Sequence, residues 1–133
     1  MSGLLADTHA VYWYLLDSDK LSSGAQQALD RATSEGQPIY VSAMTIVELQ
    51  YLIEKGRLPE AALERLDAAL DNPNSALVMA PLDRAVARAM ASIARDAVPD
   101  MPDRVIAATA LYLGVPLVTK DGRIRMASVS TIW

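Results

Sequence analysis

GLLADTHAVYWYLLDSD, residues 3–19, already contains the recurring unit of the chain. Leu4-Leu5-Ala6 is a short unbroken apolar run that stops at the polar pair Asp7-Thr8. A strand without polar alternation is one buried on both faces, as in parallel sheets. Residues 10–16 are apolar and aromatic, so the strand passes at once into a helix, which Asp17-Ser18-Asp19 closes.

The same unit recurs along the chain. Ser22-Ser23 opens a helix to about Ser34, ended by Glu35-Gly36. Ile39-Tyr40-Val41 is a second short strand, and Ser42 opens a long apolar helix to about Lys55, with Gly56 as its stop. Pro59 starts a helix over residues 60–71. Beyond the turn Asn72-Pro73-Asn74-Ser75, residues 76–80 read as a third strand and Asp83 to Asp96 as an Ala/Arg-rich helix. Residues 99–102 are a loop, and Asp103 to Tyr112 a helix stopped by Gly114. Pro116-Leu117-Val118 is a fourth strand, breaking at Lys120-Asp121-Gly122, and residues 129–133 are a fifth. Strands alternating with helices predict a three-layer α/β/α fold. Its central, mainly parallel sheet has four to five strands, and a single domain covers residues 1–133. No repeat, low-complexity tract or linker interrupts it.

Composition narrows the chemistry. The chain has 133 residues, 52% of them hydrophobic, enough for one real core and too apolar for disorder. It has no Cys, which excludes disulfides, zinc–thiolate sites and cysteine nucleophiles. No signal peptide or membrane-spanning stretch is visible, so a soluble cytoplasmic protein is expected. The net charge of −4 has the wrong sign for an ordinary nucleic-acid surface. Acidity of this kind is either a solvated surface or a cluster of carboxylates at a cation site. Only position separates the two.

Position singles out a few acids. Sites in open parallel sheets form where strands end and helices begin. Asp7 follows strand one, Asp121 follows strand four, and Asp103 begins the helix leading into strand four. Each also has a structural use. Asp7 suits a helix N-cap, Asp121-Gly122 suits a turn, and Asp100 with Asp103 suits a capping pair. Glu48 lies inside a helix, where capping does not apply. Its neighbours three and four residues away are Met44, Thr45, Tyr51 and Leu52, a largely apolar face on which a carboxylate needs a partner. That partner is either a base such as Arg104 or Lys55, or a cation shared with other acids. For an all-oxygen cluster, Mg²⁺ or Mn²⁺ is the fitting ion; a lone His9 and no Cys argue against zinc.

Four segments carry a resemblance: LLADTHAVYW at 4–13, VSAMTIVELQYL at 41–52, PDMPDRVIAATALYLG at 99–114 and PLVTKDGRI at 116–124. In this order and spacing, over essentially the full chain, the sequence resembles the PIN-domain nucleases, specifically the VapC-type toxins of toxin–antitoxin pairs. The resemblance implies a metal-dependent endoribonuclease whose acidic constellation is Asp7, Glu48, Asp103 and Asp121. It also implies Mg²⁺ or Mn²⁺ as cofactor, RNA as substrate, a small VapB-type antitoxin as partner, and a homodimer. Thr8 and Thr119 match supporting hydroxyls, Asp100 an additional acid, and Gly56-Arg57-Leu58 a common segment after the glutamate helix. Three positions depart from the pattern. Val98 replaces a frequent His, Met101-Pro102 replaces a frequent Pro-Ala order, and Arg123 stands where many relatives carry a second acid. The last puts a second metal in doubt.

Around the acids, Arg104 and Lys120, with Arg123 and Arg125 nearby, are candidates to hold flanking phosphates. His9 could touch substrate. Tyr12, Trp13 and Tyr14 are expected in the core or at a dimer interface, with base stacking as the alternative. The Leu- and Ala-rich helices around 43–72 are candidates for a groove receiving an amphipathic antitoxin helix. Phosphatase or receiver chemistry is disfavoured, because Asp7-Thr8-His9 is not an Asp-x-Asp-x-Thr motif and Ser42 ends the second strand. A catalytically silent scaffold that binds RNA or a protein is the remaining alternative.

Overall fold

The computed structural model describes residues 3–124, residue 127 and residues 129–133. Five strands, β1 (Leu4–Ala6), β2 (Ile39–Ser42), β3 (Leu77–Ala80), β4 (Leu117–Val118) and β5 (Thr131–Ile132), form one sheet in the order β3-β2-β1-β4-β5. Every pairing among them is parallel. Leu4, Leu5 and Ala6 lie opposite Ile39, Tyr40 and Val41, while Leu5 and Ala6 lie opposite Leu117 and Val118 on the other side.

The helices are α1 (Thr8–Leu15), α2 (Ser23–Ser34), α3 (Ala43–Glu54), α4 (Ala61–Asp71), α5 (Arg84–Ala89) and α6 (Met101–Leu113). The pleat of β1 sorts them into two layers. Leu4 and Ala6 point into a core with Val11, Leu29 and Leu66 of α1, α2 and α4. Leu5 points the other way, into a core with Val105, Ile106 and Ala108 of α6. Both faces of β1 are therefore covered, as its lack of alternation requires, whereas Val78 and Met79 of the edge strand β3 are exposed. Alpha-3 serves both layers, with Leu49 in the first and Met44 in the second. Gly3 permits the close entry of β1 beside β2. Its φ is +98°, and a Cβ there would stand 2.7 Å from the Pro38 carbonyl oxygen.

Two expected boundaries move. The helix expected over 83–96 stops at Ala89 and continues only as a 3₁₀ turn, Met90–Ser92. Ile93 then turns extended and is fully buried in the α6-side core. Burial of this isoleucine outweighs the helical propensity of the following alanines and arginine. The other shift is at α6, which starts at Met101 with Asp100 as its N-cap, not at Asp103. Pro102 is tolerated there because first-turn N–H groups have no intrahelical acceptor. No helix among the described residues is long and apolar enough to cross a membrane.

Candidate active site

A parallel sheet puts every strand's carboxyl end on one edge. The connection from β1 leads to β2 on one side, while β4 pairs with β1 on the other. The crevice opens at such a reversal. Asp7 leaves β1 and Asp121 follows β4, so the strand order brings them to that place.

Their shared element is Thr119. Its hydroxyl accepts the Asp121 backbone N–H (3.0 Å) and donates to the Asp7 carboxylate. Asp7 also caps α1, taking the Ala10 N–H on Oδ1 at 2.9 Å. Burial pushes the Asp7 carboxyl up from its ordinary value, against the Thr119 and Ala10 hydrogen bonds that pull it down. Asp121 Oδ1 accepts the Arg123 N–H at 2.9 Å, the turn geometry expected of Asp-Gly. Each acid thus performs its structural use and also faces the crevice.

Asp103 stands in the first turn of α6, where Asp100 Oδ2 accepts its N–H at 3.2 Å. Its carboxyl is pushed up to about 7, first by desolvation and then by repulsion from Asp100, Glu48, Asp121 and Asp7. Asp7, Asp103 and Asp121 line one cleft of about 380 Å³, together with His9, Trp13 and Lys120. Glu48 approaches from α3 beside it. Its Oε1 accepts the Thr8 hydroxyl at 2.6 Å, and Thr8 is also 3.0 Å from the buried Thr45 hydroxyl. A carboxylate only accepts, so Thr8 gives its proton to Glu48 and takes one from Thr45. Desolvation raises the Glu48 pKa, the Thr8 hydrogen bond lowers it, and Asp100 and Asp7 raise it further.

Neither expected base partners Glu48. Lys55 Nζ lies 4.7 Å from the centre of the Tyr51 ring. The Arg104 guanidinium reaches the carbonyls of Ile93 (3.0 Å) and Met90 (2.9 Å), so it braces the 3₁₀ turn, and it is not among the residues that line the acid cleft. Lys120 does face the cleft. Arg125 lies outside the described residues. Val98 is buried in the α6-side core. Tyr14 hydrogen-bonds Asp30 and Thr33, while Trp13 packs on Trp133 and on the exposed His9. Thr45 was visible in the sequence as a neighbour of Glu48, but its donor role depends on α1 crossing α3.

Hard oxygen donors and mutual repulsion suit a divalent cation of the Mg²⁺ type. Among the described residues, however, no three acids or histidines already surround a common point at metal-holding distance. The cap at Asp7, the turn at Asp121 and the Thr8 bond to Glu48 hold these carboxylates on their own elements.

The PIN domain model matches residues 4–129. The chain belongs to the PIN-domain family. A curated relative, Ribonuclease VapC22 of Mycobacterium tuberculosis (strain ATCC 25618 / H37Rv), is 33% identical over 94% of this chain and 92% of its own length. That places this PIN domain with the VapC proteins. Among solved structures, VapBC2 from Rickettsia felis bound to a DNA fragment from their promoter has a TM-score of 0.72 at 16% identity, covering 97% of this chain and 96% of that one. A toxin–antitoxin complex from Klebsiella pneumoniae has a TM-score of 0.65 at 20% identity, covering 98% and 96%. At these identities the two structures establish the fold of this PIN domain.

Proposed function

We propose that this chain is a single-domain endoribonuclease toxin of a VapBC-type toxin–antitoxin pair, working with Mg²⁺ or Mn²⁺. The observation that carries the reading is the cleft itself, where Asp7, Asp103 and Asp121 from three distant segments form one lining, with Glu48 fixed beside it by Thr8. Their shared charge is left for a ligand to balance, and it pushes the Asp103 carboxyl up, after desolvation. Asp7, Asp103 and Asp121 would hold the ion, with Glu48 completing the set or orienting water, and the ion would lower the pKa of bound water and offset phosphate charge. The relative's name, Ribonuclease VapC22, supports RNA as the substrate.

The chain's own groups have separable roles. Glu48, fixed by Thr8, orients the attacking water toward phosphorus, in line with the departing 3′ oxygen. Thr119 keeps Asp7 and Asp121 in register across the β1–β4 boundary. Lys120, exposed at the cleft wall, contacts a flanking phosphate. The expected products carry a 5′-phosphate and a 3′-hydroxyl.

The partner reading rests on a second hollow of about 280 Å³ between α1 and α3, with Tyr12, Leu49, Leu52 and Leu58 among its walls. It shares His9 and Trp13 with the acid cleft. An antitoxin helix seated there would bring a basic side chain to the carboxylates. A homodimer would use exposed apolar side chains such as Met79 and Tyr112, which border a common cavity.

The deciding experiment maps RNA 5′ ends in cells expressing the wild type or Asp103→Asn. New ends should appear with the wild type alone. Equal cleavage by the variant would overturn the catalytic assignment.

A further inference from the structure

An acidic nuclease has an affinity problem. Net charge is −4, three carboxylates line the cleft, and Lys120 is the cation among its described lining residues. Arg104, which sequence order places beside Asp103, points instead to the Met90 and Ile93 carbonyls and does not line the cleft. Apart from an ion held at the acids, the side chains lining this mouth offer phosphate little attraction. Contacts that do not depend on charge add affinity that these side chains do not supply.

The structure provides a surface of that kind. Alpha-1 starts at the cleft, and its residues 9 and 13 are one helical turn apart on the same face. The His9 and Trp13 rings meet with centroids 5.4 Å apart at 45°. Trp13 is half-buried and backed by Trp133, 5.9 Å away at 57°. His9 is exposed. Both rings form walls of the cleft that also holds Asp7, Asp103 and Asp121. We propose that His9 and Trp13 form a nucleobase-stacking subsite, which holds the base of a nucleotide next to the phosphate facing the acids. This inference rests on the ribonuclease reading above and names how its substrate is held.

The chemistry favours single-stranded RNA, whose unpaired bases can turn out onto an aromatic wall. Stacking tolerates any base and leaves the acid cluster's charge untouched. The subsite therefore determines substrate affinity and strandedness, and the carboxylates carry the hydrolysis.

The test uses the Asp103→Asn protein with Mg²⁺, so that bound RNA stays intact. Two fluorescently labelled probes are compared by anisotropy: an eight-nucleotide adenylate RNA and a ribose-phosphate oligomer of equal length lacking bases. The RNA should bind more tightly than the abasic oligomer. Adding His9→Ala or Trp13→Leu should weaken RNA binding about 10-fold, the scale of one lost stacking contact, and leave the abasic oligomer unaffected. Trp13 also packs inside, so thermal midpoints are measured beside binding, and Trp13→Phe should retain most of the affinity. Equal binding of both probes, or unchanged RNA affinity in the folded His9→Ala protein, overturns the subsite and leaves the ribonuclease reading standing. Absence of binding to either probe overturns the RNA reading, and the subsite with it.

Discussion

Thr8 Oγ1 donates to Glu48 Oε1 across 2.6 Å, joining the first turn of α1 to the middle of α3. Thr8 is itself within 3.0 Å of the Thr45 hydroxyl, so Thr45, Thr8 and Glu48 form one directed chain. Such supporting donors around an acidic site typically matter 10–100-fold in metal affinity or activity. Thr8→Val should lower RNA cleavage about 10-fold or more and weaken Mn²⁺ binding measured by calorimetry, with Thr8→Ser close to wild type. Undiminished cleavage by the valine variant would remove Glu48 orientation from the mechanism.

The metal-free protein should lose stability as pH rises. Asp103 moves from an ordinary 3.8 to about 7 on folding. Between those values the native state binds more protons than the unfolded chain, so stability is highest on the acid side and falls as pH climbs through the window. The raised carboxyls of Asp7 and Glu48 act in the same direction. In EDTA, the thermal midpoint should drop by a few degrees between about pH 5 and pH 8. Saturating Mg²⁺ should flatten that slope. A midpoint that rises over the same range would show that folding does not penalise the charges of these buried acids.

Asp103→Asn separates stability from activity. The amide keeps the side chain's shape and removes a charge that four acids disfavour. In EDTA at about pH 8 the variant should melt roughly 2–5 °C higher than wild type. Its RNA cleavage should fall at least about 100-fold, because it loses a donor to the ion. A variant that melts lower without metal would place Asp103's role in the fold.

Two basic residues should behave oppositely. Hydrogen bonds from a charged donor contribute about 1.5–3 kcal/mol, and Arg104 makes two, to Met90 and Ile93. Arg104→Leu should destabilise the protein by about 2 kcal/mol in urea unfolding, through release of the 3₁₀ turn, whatever it does to RNA. Lys120→Ala should leave the unfolding midpoint unchanged, weaken RNA binding and reduce its salt dependence by about one ion. If Arg104→Leu melts as wild type, the bracing role is wrong.

Much of the fold could be read locally. Ser22, Ser42, Asp83 and Asp100 each cap the helix that their sequence position suggested, and Gly114 takes the left-handed conformation at the end of α6. The helix over 83–96 was not legible to its end. Ala and Arg favour a helix, and only the core beyond it demands Ile93. Glu48 was legible as an acid that needed a partner, but the partner was not Arg104 or Lys55. The hydroxyl it found lies 40 residues away in the chain, and no local pattern encodes an approach over that distance.

Unbroken apolar runs and their closing acids pointed, without coordinates, to a mainly parallel sheet with Asp7 and Asp121 at strand ends, where sites form. They do so because a strand's burial and direction follow from side-chain alternation and from the helices between strands. Tertiary structure alone decided that β1 and β4 are neighbours, that Thr119 ties their acids together, and that Arg104 turns away from the cleft. Those outcomes depend on which buried surfaces and polar groups meet across the sheet, a competition between distant segments that neighbouring residues do not settle.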